Sequence, residues 1–180
     1  MARRKLADAP ALTQERLRKL LSYDPGTGHF WRYKAVGASD ISKPAGERHS
    51  EGYVQVTVDC VRYHAHRLAW FYVHGHWPTA QIDHINGIRN DNRIANLREA
   101  TNTENCRHGG LPRHNTSGFK GAIKWRGRWA ARIKVNKKVI HLGMFDTPEQ
   151  AHEAYCKAAQ EKHGEFWNPG DEPSHRRKIG

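Results

Sequence analysis

The chain has 180 residues, enough for one to two small domains, and carries 30 Lys plus Arg against 18 Asp plus Glu, a formal charge of +12. No apolar run is long enough for a membrane span, and the basic start Ala2-Arg3-Arg4-Lys5 lacks the apolar core of a signal peptide. Cys60, Cys106 and Cys156 are far apart with no Cys-x-x-Cys spacing, which disfavours structural zinc and a disulfide framework and fits a reducing cytoplasm.

Residues 1–11 read as a loose basic arm, and Leu12 to Leu21 as a short amphipathic helix with Leu12, Leu17, Leu20 and Leu21 on its apolar side. Asp24-Pro25-Gly26-Thr27-Gly28 is a turn, followed by a strand from His29 to Tyr33. Gly37 to Gly52 reads as a polar connector. A hairpin of Tyr53–Val58 with Val61–Ala65 precedes an apolar helical run, Leu68 to Val73, opened by His66 and Arg67. His66 reads as a satisfied structural histidine ahead of one that touches the phosphate or supports a metal site, and His74 and His76 read as helix-end and loop residues. Gln81 to Ile85 is a short strand, 86–93 an irregular loop, Leu97 to Ala100 a second strand, and Asn102 to Arg107 a short helix carrying Asn105. Within the loop Asn86, Asn90 and Asn92 read as ordinary turn formers.

Residues 108–116, with Gly109-Gly110 and Pro112, read as a linker in which Arg107, Arg113 and His114 track a nucleic-acid backbone. Three strands follow: Gly121–Trp125, a strictly alternating Trp129–Lys134, and Val139–Leu142 after the turn Asn136-Lys137-Lys138. Thr147-Pro148-Glu149-Gln150 then combines an N-cap, a first-turn proline and a capping-box glutamine for a helix running to about His163. Ala151, Ala154, Tyr155 and Ala158 share one helix face, and the small alanines let the helix lie close to the sheet. From Cys106 to Phe145 there are ten basic residues and no acidic one, so this stretch holds +10 of the +12. Such an excess favours a polyanion, first of all nucleic acid. The segment 168–180 reads as a polar, disordered tail.

The stretch DHINGIRNDNRIANLREATNTEN, 83–105, resembles the HNH endonucleases of the homing and phage type that carry His-Asn-Asn. The likeness covers roughly residues 52–107 and reaches upstream through AHRLAWFYVHGHWP. It implies a ββα-metal (His-Me finger) core, hydrolysis of duplex DNA to a 5′ phosphate and 3′ hydroxyl, and a bacterial or phage-infected host cell. Under it, Asp83 and Asn105 hold a divalent metal, Mg2+ first and Mn2+ as the alternative, which uses few protein oxygens and keeps waters. His84 deprotonates the attacking water, and Asn96 fixes its tautomer.

Farther on, GFKGAIKWRGRWAARIKVNKKVIHLGMFDTPEQAHEAYCKAAQEKHGEF is similar to the Apetala-two/ethylene-response-factor domain over residues 116–167. This implies a sheet that enters the major groove. By position Lys120, Arg132 and Lys134 match DNA-facing sites most clearly, and His141 falls where the plant domains have Trp. Lys124, Arg126 and Arg128 complete the basic set. The fold class expected is α+β: a nuclease core with its N-terminal buttress over 12–107, then a three-stranded antiparallel sheet packed on one helix over 117–167. The partner is double-stranded DNA, with no membrane, and either a monomer or a homodimer. The alternative function is a catalytically inactive, sequence-specific DNA-binding regulator.

Overall fold

The computed structural model describes residues 11–37, 39–111 and 114–170. Of the expected basic arm only residue 11 falls within them, and Pro112, Arg113 and the segment 171–180 lie outside. The chain divides into two compact units, Met1–Glu99 and Ala100–Gly180. Both mix helices with small antiparallel sheets, and no helix among the described residues is long and apolar enough to cross a membrane.

In the first unit Thr13 caps α1 (Gln14–Leu20), its hydroxyl accepting from Arg16 N at 3.1 Å. The expected helix ends one residue early, because Leu21 turns extended and opens β1 (Leu21–Asp24), which pairs with β2 (His29–Arg32). Asp24 organises the turn, its carboxylate accepting from Gly26 N and Thr27 Oγ1 at 2.9 and 2.7 Å. Gly28 closes the turn at φ 75°, and a Cβ there would overlap the backbone of Asn92 and Arg93. That close approach seats the hairpin against the loop preceding the second half of the site.

The stretch read as a polar connector contains β3 (Glu47–Arg48), which joins β4 (Val54–Val58) and β5 (Val61–His64) in a three-stranded sheet of that order. Asp59 and Cys60 turn between β4 and β5 with φ of 46° and 67°, the left-handed pair that suits a two-residue hairpin. Next come α2 (Ala65–His74), ended by Gly75 at φ 79°, then β6 (Gln81–His84), a 3-10 turn (Ile94–Asn96) and β7 (Leu97–Ala100), which pairs with β6. Leu17, Leu21, Phe30, Val56, Leu68, Ala69, Ile82 and Leu97 form the core beneath these pieces. Trp77 stacks on Phe71 with ring centroids 4.3 Å apart, and on Tyr63 at 5.5 Å.

In the second unit a capping box of Thr101 and Glu104 starts α3 (Asn102–His108). β8 (Ala122–Trp125), β9 (Arg128–Val135) and β10 (Lys138–Phe145) make an antiparallel sheet in the order β10-β9-β8, covered on one side by α4 (Pro148–His163). Both hairpins use left-handed pairs, Arg126-Gly127 and Asn136-Lys137. A register shift between His141 and Gly143 marks a bulge in β10. Thr147 and Gln150 form the capping box at the start of α4. Ala122, Ala131 and Ala151 meet at one end of the helix–sheet interface, and Ile133, Tyr155 and Ala159 at the other. Gly121, at φ 80°, lies flat on the Tyr155 ring, where a Cβ would overlap.

Two expectations about the second unit change. The unit begins at Ala100 rather than beyond a linker at 108–116. The tail likewise begins later than residue 168, because Asn168 is only 4 % exposed and its Oδ1 accepts from Gly170 N. One residue ties these segments together: Lys120 Nζ donates to the carbonyls of Arg107 at 2.9 Å, Gly109 and Asn168 at 3.0 Å.

Candidate functional site

β6 places Asp83 and His84 next to each other on a strand, so their side chains leave on opposite sides. Both are buried, each 5 % exposed. Asp83 meets Arg98 of β7, whose Nε and Nη2 each lie 2.9 Å from Oδ2. Arg98 is itself largely buried, so the pair is a shielded one that holds the carboxylate in a fixed direction. Sequence reasoning did not single out Arg98; the available signal was a basic residue on the strand that closes the β6–β7 hairpin.

On the other side, His84 Nε2 lies 3.3 Å from Asn92 Oδ1. An amide oxygen only accepts, so Nε2 carries the proton and Nδ1 keeps the basic lone pair. This corrects the expected role of Asn96. The amide that orients His84 is Asn92, a residue read as ordinary loop and here 2 % exposed. Asn92 is fixed in turn, with Nδ2 donating to Asn90 O at 3.3 Å and its own carbonyl accepting from Tyr23 Oη at 2.7 Å. Burial drives the Tyr23 phenol up to about 12, so it stays a donor.

Asn96 instead staples the loop that follows His84. Its Oδ1 accepts from Asn86 N at 3.0 Å, and its Nδ2 donates to Asn86 Oδ1 at 3.0 Å and Asp91 O at 2.8 Å. Its carbonyl accepts from Ile85 N at 2.9 Å, joining the loop's two ends. Asn86 adds a bond from Nδ2 to Asp91 Oδ2 at 2.7 Å. Asn96 therefore shapes the loop that carries Asn92, and acts on His84 only through it.

Three more rings surround His84. His66 packs edge-on at 5.2 Å between centroids, His64 stacks on His66 at 5.2 Å, and Tyr53 lies 6.0 Å from His84. His66 is 8 % exposed, and among the described residues neither its Nδ1 nor that of His64 has a hydrogen-bond partner, so His66 is buried without the bond expected of a satisfied histidine. Burial, then the neighbouring imidazoles and Arg67, push His66 down to about 3. Burial also lowers His84, against the opposing pull of Asn92, Asp83 and Asp91, so the imidazole is neutral at pH 7. Arg89 closes the outer side, over the Tyr53 ring at 4.9 Å and bonded to Glu51 O at 2.8 Å.

Among the described residues, no three His, Cys, Asp or Glu side chains are arranged to hold a metal ion. Asp83 is a hard oxygen donor already aimed by Arg98. Such a donor fits a hard divalent cation that keeps most of its shell as water and phosphate oxygen. Asn105 lies on α3, in the second unit, and was assigned by sequence pattern alone.

The residues expected to face DNA separate into distinct groups. Strand register puts Ile123, Trp125, Ala130, Arg132, Lys134, Val139 and His141 on the side of the sheet opposite α4. Trp125 is 51 % exposed there, with the guanidinium groups of Arg126 and Arg132 lying 5.9 and 5.7 Å from its ring centre. Lys124 pairs with Trp129 and belongs to the helix side, although it is exposed. Arg128 is engaged with Asp146 at 2.9 Å. Lys120 is corrected outright: its ammonium is spent on three backbone carbonyls. Burial pulls it down to about 8, which leaves it charged at pH 7.

Residues 63–107 match the family model of the HNH endonucleases. The match spans 45 of the 180 residues, from the end of the β4–β5 hairpin to the last turn of α3. It contains Asp83, His84, Asn92, Asn96, Arg98, Asn105 and His66, and it is narrower than the expected 52–107. At family level it supports nuclease, hydrolase activity on DNA, and HNH nucleases generally use a divalent metal. No solved structure matches the chain.

Proposed function

We propose that this protein is a metal-dependent endonuclease of the homing or phage HNH type that cuts duplex DNA. The observation that carries the reading is His84: a buried, neutral imidazole whose Nε2 is engaged by Asn92, leaving Nδ1 as the base. His84 Nδ1 takes the proton of the attacking water as its oxygen bonds to phosphorus and the 3′ oxygen leaves. Asn92 holds the ring in that tautomer and accepts from the imidazolium once it forms. A divalent metal, Mg2+ or Mn2+, would be held by Asp83, with Asn105 the further ligand that the sequence pattern assigns, and would supply charge neutralisation at the scissile phosphate. Arg98 directs the Asp83 carboxylate.

The second unit is the docking module, and its likeness to the Apetala-two/ethylene-response-factor domain supports placing the open sheet face in the major groove. Arg126, Arg132, Lys134 and His141 are the cations and polar group available for that contact, with Trp125 among them; Lys124 and Arg128 stand aside. A second reading, an inactive DNA-binding regulator, is favoured by the Arg98–Asp83 pair, which competes with a metal for the same carboxylate. End-labelled duplex DNA incubated with the protein in Mg2+ or in EDTA separates the two. Metal-dependent products with 5′ phosphate ends support the nuclease. Tight binding with intact strands in both Mg2+ and Mn2+, across a library of duplex sequences, supports the regulator.

A further inference from the structure

Away from the His84 cluster, the first unit carries a groove of about 310 Å³. Arg32, Lys43, Arg48 and Arg62 line it, with Gln55 and Thr57 as its polar floor. Two acids, Asp40 and Glu47, also border it. Asp40 is consumed by Lys43, 3.3 Å away. Arg32 Nη2 donates to Thr57 O at 2.9 Å, which pins its guanidinium to the floor without cancelling its charge. Arg32 and Arg62 form no ion pair among the described residues, and Arg62 is exposed; Arg48 pairs with Val54 and so leaves the sheet on the opposite face. Glu47 shares the face of Gln55, and with Asp40 and Lys43 paired, Arg32 and Arg62 still outnumber it, so the groove suits phosphate oxygens rather than an apolar ligand.

The strand register connects this groove to the base. β4 turns Val56 and Val58 into the core, so Gln55 and Thr57 point outward. Thr57 pairs with Arg62, while Gln55 lies between Glu47 and His64. His64 stacks on His66, which in turn packs edge-on against His84. The polar face thus steps from Arg62 and Thr57 to Gln55 and His64 over about 7 Å of strand, and then to His84. A strand laid in the groove is led towards the catalytic imidazole.

We propose that this groove holds the sugar–phosphate backbone of the DNA strand being cut, with Arg32 and Arg62 each neutralising one phosphate along the strand that leads to the scissile one. The inference rests on the nuclease reading for the identity of the strand. Its test measures binding and does not depend on cleavage. Full-length His84→Ala protein is titrated with a fluorescent DNA duplex over a range of salt. Each neutralised phosphate contributes about 0.9 to the slope of log K against log salt. Arg32→Ala and Arg62→Ala together should therefore flatten the slope by about 2, and each alone by about 1. Arg62→Lys should restore the Arg62 share, and Lys19→Ala, on the exposed side of α1, should leave the slope unchanged. Circular dichroism and the melting midpoint establish that each variant is folded. Since Arg62 is exposed, Arg62→Gln serves if the double variant does not fold. An unchanged slope in folded Arg62→Gln or in the double variant overturns the groove, even if the wild-type protein cuts DNA. A flattened slope with a wild-type protein that never cuts retains the groove as a DNA site and removes the nuclease reading instead.

Discussion

In the proposed mechanism His84 and Asn92 act as one unit, because a base is useful only when the correct nitrogen faces the water. Asn92→Ala removes the acceptor that fixes Nε2 as the protonated nitrogen, and cleavage should fall about 10–100-fold with DNA affinity retained, as for other partners that orient a working imidazole. Single-turnover rates at saturating DNA check this, and an unchanged rate would remove Asn92 from the mechanism. Asp83 and His84 stand out in the sequence because their chemistry is carried by the side chains themselves. Asn92 does not, because nothing in the spacing separates it from Asn86, Asn90 or Asn96. Its role follows from long-range closure, in which Gly28 admits the backbone at Asn92–Arg93 and Tyr23 grips the Asn92 carbonyl. His66 gives a second test at this scale. Its folded value near 3 lies below the free imidazole value of 6.5. Between those two values the unfolded chain binds a proton that the folded chain refuses, so stability is lost as pH falls through that window and is unaffected above it. The slope should be roughly 1 kcal/mol per pH unit. Urea midpoints at pH 7 and pH 5 should differ more for the wild type than for His66→Phe; equal differences would contradict the buried, neutral assignment.

Elements were the most legible level, because their signals are local. The capping box at Thr147 and Gln150 announces α4, and the alternation of Trp129 to Lys134 announces β9. β3 was missed because two residues, Glu47 and Arg48, carry no periodicity and are strand only through pairing with β4. Lys120 was misassigned for a similar reason: a lysine in a basic run gives no sign that three carbonyls from distant segments converge on it. The contact between β8 and α4 yields a prediction at this level. Gly121→Ala introduces a Cβ into the Tyr155 ring at a left-handed φ, and should destabilise the second unit by about 2–4 kcal/mol. Gly127→Ala meets no atom of the described residues within 4 Å and should cost only about 1–2 kcal/mol from its φ of 83°. Equal losses in thermal or urea unfolding would mean that Gly121 is not packed against Tyr155.

Across the whole molecule, charge and chemistry are divided between the two units. The stretch 106–145 holds ten cations and no acid, while the acid–imidazole pair stands in the first unit. On the open sheet face, Arg132→Ala and Lys134→Ala should each weaken DNA binding and flatten its salt dependence by about 1, with little dependence on sequence for Lys134. An unchanged salt slope would place that face away from DNA. On the proposed reading the net charge serves recognition, and the reaction is left to a handful of buried, mostly uncharged groups around His84. The most direct test of that account is incubation of supercoiled plasmid with wild-type and His84→Ala protein, in Mg2+ and in EDTA, with DNA affinity measured in parallel. The account predicts Mg2+-dependent nicking or linearisation that falls about 10²–10⁴-fold in the variant at unchanged affinity. Cleavage by His84→Ala at the wild-type rate would contradict it.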